Sequence, residues 1–212
     1  MRWIAGLLLV LLGGCTMAVS DKPMLGAADL AGAPRFEDGV WLISELDETK
    51  PCPVDTAQPV SRWAPCANWA VHRDGQWFAR EKDTGIKIRP LAGLITVSGG
   101  EIAIIQMENA VIDNSTAAAD TDPTPFFFGA FDNVPTSAEK LRSVKLWLVM
   151  CGQYRPRKTT TNDETAEEFV RYPGFDEQCR PASIDALRAA AEASRPPESG
   201  RAHVRWTRAV LD

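Results

Sequence analysis

Two histidines and five cysteines are the side chains of this 212-residue sequence best suited to proton transfer, metal ligation or thiol chemistry. His72 directly precedes Arg73-Asp74-Gly75, and His203 stands in Ala202-His203-Val204. Both lie in short alternating apolar and polar runs, so each is read as a strand residue, and a metal pair would require those two strands to be neighbours. No Cys-x-x-Cys spacing occurs, which argues against a thioredoxin-like redox site and a zinc ribbon. Lys plus Arg number 23 against 28 Asp plus Glu, a formal charge of -5, so the chain has no basic footprint for nucleic acid.

Other combinations point to chemistry only on the surface. Ser137-Ala138-Glu139-Lys140 has the Ser-x-x-Lys spacing of the serine β-lactamases and penicillin-binding proteins. That chemistry also needs a Lys-Thr-Gly strand, and Lys158-Thr159-Thr160 lacks the glycine. Asp113, Asn114, Asp120 and Asp122 follow no calcium-loop spacing and read as a solvated loop. Arg155, Arg157 and Lys158 are followed by Asp163, Glu164, Glu167 and Glu168, so this cationic cluster is neutralised within its own loop. Phosphate-cradling and nucleophile-elbow motifs are missing from the sequence. The reading is therefore no catalytic residue, no cofactor and no metal. One constellation is left as a candidate ligand face: pairing across Asp74-Gly75 sets His72 opposite Trp77 on one face, with Val71 opposite Phe78 on the other.

The N-terminus carries an address. Met1 and Arg2 precede an apolar run, Ile4 to Leu12, that is too short to span a bilayer comfortably and ends in Leu12-Gly13-Gly14-Cys15. These four residues resemble the lipobox of bacterial lipoproteins. The resemblance implies cleavage before Cys15, with 1–14 a signal peptide, and acyl chains on Cys15 that hold the protein on a membrane. Thr16 follows in place of the aspartate that favours inner-membrane retention, which implies the outer membrane, facing the periplasm.

With Cys15 assigned to lipid, four cysteines remain in an oxidising compartment, and three pairings are possible. Cys52–Cys66 and Cys151–Cys179 are expected, because each pair closes a single loop rich in turn residues. The chain-entropy argument gives about 3 kcal/mol for a loop of about 15 residues and somewhat more for one of about 29.

The elements that must position these residues are mostly strands. Residues 15–36, rich in Ala, Gly, Asp and Pro, read as a lipidated cysteine and flexible tether, and 37–212 as a single β-rich domain. Gly39 to Glu45 opens the strands. Hairpins turn at Asp74-Gly75 and Gly99-Gly100, the second pairing Val97 with Ile102 and Ile95 with Ile104. Ile86–Arg89, Phe126–Phe131, Val144–Cys151 and Ala202–Arg208 are further strands, Thr136–Leu141 one helical turn, and Cys151–Cys179 a stapled polar loop. Pro181–Ser194, with Ile184, Leu187 and Ala191 in one stripe, is the helix. The class is mainly β (α+β): an antiparallel meander curled into a barrel-like or strongly twisted sheet, with one C-terminal helix before the last strand. Gly39-Val40-Trp41 at the first strand and a helix before the last resemble the calycin barrels, lipocalins among them. The function expected is a noncatalytic binding or interaction module of the envelope, for a small apolar ligand or an envelope protein. The alternative is a periplasmic hydrolase with a dispersed active site.

Overall fold

The computed structural model describes residues 16–30, 33–44, 52–80, 86–91, 95–99, 101–108, 126–132, 140–158, 165–208 and 211. In chain order the strands are β1 (Val19–Ser20), β2 (Gly39–Ser44), β3 (Asn68–Arg73), β4 (Gln76–Arg80), β5 (Ile88–Pro90), β6 (Ile95–Gly99) and β7 (Ile102–Glu108). There follow β8 (Phe126–Asp132), β9 (Ser143–Leu148), β10 (Gly152–Lys158), β11 (Thr165–Arg171), helix α1 (Ile184–Ala193) and β12 (Ala202–Thr207). The main sheet runs β5-β4-β3-β2-β12-β9-β8-β7-β6, and β1 adds to β8. It is antiparallel throughout and curls through 241° into a half-barrel, with the C-terminal helix before the last strand.

The strand order is an up-and-down meander whose first and last strands, β2 and β12, pair with each other. The break lies between β5 and β6. Nine strands on an antiparallel path is an odd number, so β5 and β6 run in the same direction at the two edges. Pro90 and Ile95 are five residues apart, which keeps their Cα atoms within about 18 Å. β5 pairs with β4 and β6 with β7.

Local chemistry sets the hairpins. Asp74 and Gly75 both have positive φ, 52° and 77°, as the two-residue turn between β3 and β4 requires. Val71 pairs with Phe78 and His72 with Trp77, as the Asp-Gly turn predicts. The β6–β7 register differs from expectation by two residues: Val97 faces Ile104, and Ile95 faces Gln106. A two-residue slip leaves every side chain on its original face, so the apolar alternation cannot discriminate between the registers.

Two apolar layers cover the sheet. Phe36 touches Trp77 of β4 and Phe131 of β8, with ring centroids 5.2 and 6.0 Å away. Those strands lie five steps apart, about 24 Å in a flat sheet, so Phe36 must sit on the concave side. Trp41, fully buried, packs there with it. On the convex side Val40, Leu42, Trp69 and Val71 are covered by Val60 and Trp63 of the Cys52–Cys66 loop and by Ala67 directly after it. Helix α1 covers β7–β9 on that same side, where the Trp147 indole donates to the Ala191 carbonyl at 3.0 Å. The helix begins at Ile184 rather than Pro181, because the Ser183 hydroxyl caps it by accepting from the Ala186 amide at 3.1 Å.

Both expected cysteine pairs are at bonding distance, with Cα atoms 5.8 Å apart for Cys52–Cys66 and 5.3 Å for Cys151–Cys179. Two expectations are corrected. The Cys151–Cys179 excursion contains the β10–β11 hairpin, in which Tyr154 pairs with Phe169 and Arg155 with Glu168. The described part of 16–36 is docked rather than a free tether. Ala18 is completely buried, Leu25 and Phe36 nearly so, and the Cys151 amide donates to the Thr16 carbonyl at 2.7 Å. The physical reason is Gln106, fully buried on β7. Its Oε1 accepts the amides of Met24 and Leu25 at 2.7 and 2.9 Å, and its Nε2 donates to the Leu25 carbonyl at 3.2 Å. Cys15 and the signal segment 1–14 lie outside the described residues, as do Ser137, Asp113, Asp120 and Asp122.

Candidate functional site

An open cavity of about 480 Å³ lies at the end of the half-barrel where β2 begins and β3 turns into β4. Its apolar wall is formed by Phe36 and Trp77, and its polar rim by His72, Asp38 and Lys140. The β3–β4 register delivers His72 and Trp77 to it together, with ring centroids 4.9 Å apart. The chain before β2 delivers Phe36 and Asp38. Main-chain bonds between Arg35, Glu37 and Leu141 lay that stretch beside 140–142 and so bring Lys140 to Asp38.

The entry to β2 is fixed by tryptophans. Trp41 donates its indole N–H to the Glu37 carbonyl and Trp206 to the Asp38 carbonyl, each at 3.0 Å. The Arg142 guanidinium lies over the Trp206 ring at 5.2 Å and also bonds Glu37. Gly39 has φ +135°, and a Cβ there would stand 2.7 Å from the Trp206 indole nitrogen. The glycine of Gly39-Val40-Trp41 therefore has two independent reasons to be glycine.

Electrostatics at the rim follow from burial and from one short chain of charges. Lys140 Nζ donates to Asp38 Oδ2 at 3.1 Å, and Asp38 Oδ1 lies 3.0 Å from His72 Nδ1. The second contact is electrostatic rather than a hydrogen bond, since buried Nδ1 has no partner of bonding geometry. The Lys140 hydrogen bond is the largest cause holding the Asp38 carboxyl below its ordinary value. Burial pushes the His72 imidazole below its ordinary value, and the Asp38 charge opposes this only in part. A neutral imidazole between two aromatic rings, with a carboxylate–ammonium pair beside it, suits binding of a molecule that has an apolar body and a polar end.

No family model, curated protein or solved structure matches this chain. Function must therefore be argued from the site itself.

The other residues marked in the sequence do not converge on the cavity. His203 is on β12, separated from β3 by β2, and on the opposite face from His72, so the two histidines share no ligand. Its Nε2 lies 2.7 Å from Ser143 Oγ on the convex face. Burial lowers its pKa, with smaller contributions from Arg205 and Lys145. No cluster of three potential metal-binding side chains occurs among the described residues. Phe36, Asp38 and Lys140 are not legible as site residues, because the first falls in the compositional tether, the second just ahead of the first expected strand and the third within a short helical turn. The one local signal is Phe36 itself, a large aromatic in a stretch otherwise poor in them.

Proposed function

We propose that this protein is an envelope lipoprotein, anchored by acyl chains on Cys15, whose half-barrel binds a small amphiphile without transforming it. The observation that carries the binding reading is the cavity of about 480 Å³, where Phe36 and Trp77 meet the Asp38–Lys140 pair. Its size lies within the range of about 300–1,000 Å³ typical of small-molecule sites, and its mixed wall provides orientation as well as apolar contact. The anchor reading rests on Leu12-Gly13-Gly14-Cys15, and Thr16 in place of an aspartate after the cysteine supports the outer membrane, facing the periplasm, as its site. Among the described residues no helix is long and apolar enough to cross a membrane.

The binding test is titration with N-phenyl-1-naphthylamine, an apolar probe that fluoresces on leaving water. One saturable site is expected, lost in Trp77→Ala and blocked in Ala33→Trp at the rim. A probe curve unchanged in both variants overturns the cavity and leaves an envelope protein partner as the remaining binding mode. The anchor test is metabolic labelling with palmitate, expected in the wild type and absent in Cys15→Ala.

The hydrolase alternative has one observation in its favour, the Ser143–His203 contact. Serine activation also needs a group that orients the imidazole and donors for an oxyanion. His203 is flanked instead by cationic Arg205 and Lys145, and Lys145 pairs with Glu198 at 3.0 Å. Covalent labelling of Ser143 by a fluorophosphonate would revive that reading.

A further inference from the structure

The chain has no free spacer after Thr16, and this fixes which face a lipid on Cys15 would bring to the bilayer. We infer that the β10–β11 hairpin and the cleft beside Thr16 form a lipid-resting surface; this rests on the anchor reading above. Thr16 is held by the Cys151 amide, and Met17 bridges Met150, so the residue to which Cys15 is bonded is a fixed point on the domain. At that point opens a second cavity of about 350 Å³, lined by Thr16, Met150, Tyr154, Phe169, Tyr172 and Arg195. Its outermost ring is exposed, while Phe169 and Tyr172 are half-buried. Tyr154 is 55% accessible, more than any other large apolar side chain described, and lies 5.2 Å from Phe169. Arg171 stands over the Phe169 ring at 6.0 Å. Aromatic rings with polar tips, next to arginines, are the side chains that sit well at the headgroup level of a bilayer. A neighbouring cavity shares Met150 and adds Leu148, which is 44% exposed, so the apolar surface continues around the anchor point.

The hairpin itself calls for a second support. It pairs with no strand of the main sheet among the described residues, and isolated two-stranded ribbons are marginal in water. A bilayer under Tyr154 and Phe169 supplies the missing surface. The occupant is therefore a lipid surface; Glu168, opposite Arg155, lies on the other face of the ribbon, and Glu167, opposite Pro156, shares the aromatic face two residues from Phe169.

The experiment reconstitutes the full chain, as processed by its host, into phosphatidylethanolamine–phosphatidylglycerol vesicles carrying a small fraction of headgroup-diazirine lipid. After illumination, adducts are mapped by mass spectrometry on floated protein. Adducts on the 152–158 and 165–171 peptides are expected at about tenfold the yield on 68–80, on the far side of the sheet. Tyr154→Ser/Phe169→Ser should lower that yield severalfold without changing flotation, because the acyl chains still hold the protein. Floated protein with adducts evenly spread, or concentrated on 68–80, overturns the surface and leaves the anchor standing. Protein that neither floats nor carries an acylated Cys15 overturns both.

Discussion

His72 Nδ1 and Asp38 Oδ1 face each other at 3.0 Å across the mouth of the half-barrel, the imidazole buried and the carboxylate at the surface. Their titrations are coupled through Lys140. Asp38→Asn removes the charge that supports protonated His72, so the imidazole pKa should fall further. Lys140→Met removes a repulsion from His72 and the hydrogen bond on Asp38, so both pKa values should rise. Following the His72 ring protons by NMR across a pH series separates these cases. Identical curves in all three proteins would refute the coupling.

Stability should depend on pH in the direction set by burial. His72 and His203 both have folded pKa values below the ordinary 6.5. The unfolded chain therefore binds protons first, so their contribution is complete above about pH 6.5 and is lost as pH falls through the folded values. Asp38 adds a second loss at lower pH, below its ordinary 3.8. The midpoint of thermal unfolding should decline between about pH 7.5 and 5, and less so in His72→Gln. Equal slopes in the two proteins would remove His72 from the account.

Gly39→Ala tests the entry to β2. The new Cβ would meet the Trp206 indole at 2.7 Å, with φ at +135°. A loss of about 1–3 kcal/mol is expected in denaturant unfolding, together with loss of the Trp206–Asp38 hydrogen bond. Asp38 then moves, so probe binding should weaken in the variant even at temperatures where it is fully folded.

Gln106→Leu tests the docking of the N-terminal stretch. The substitution keeps a side chain of similar size on β7 but leaves two amides and one carbonyl of Met24 and Leu25 without partners. At about 1–3 kcal/mol for a buried unsatisfied group, undocking the stretch becomes the cheaper outcome. Limited proteolysis should then cut within 16–30 many times faster than in wild type, while β2–β12 pairing persists by circular dichroism. Unchanged cleavage would mean that Ala18 and Leu25 hold the stretch without the glutamine.

Reduction of Cys52–Cys66 should separate the two apolar layers. The 14-residue separation corresponds to about 3 kcal/mol in the chain-entropy account. Cys52→Ser/Cys66→Ser should expose Trp63 and Trp69 on the convex side while leaving the Trp41 environment unchanged, readable by tryptophan NMR resonances. Equal perturbation of all three would show a single cooperative core.

What the sequence discloses about this fold is local. Asp74-Gly75 specifies its own turn, so the His72–Trp77 pair follows from two residues. The Gly99-Gly100 hairpin is found with its faces right and its register two residues off, since alternation repeats every second residue. The docked stretch is hidden because Ala18, Leu25 and Phe36 enter the core singly, far apart in a segment with no sustained apolar periodicity. The cavity is half legible for the same reason. Trp77 and His72 are set by a turn, whereas Phe36 and Lys140 arrive through a pairing more than a hundred residues long in sequence, Phe36 with Leu141.

The Thr16 bond also decides how the molecule carries tension. Any pull applied ahead of Thr16 passes into the Cys151 main chain at 2.7 Å and, through Val19, into the Cys179 carbonyl at 3.0 Å. These two residues are joined to each other covalently. Load entering from the N-terminus is thus received first at Cys151, and its covalent partner Cys179 takes it up again at Val19, the residue where β1 joins β8 and the half-barrel.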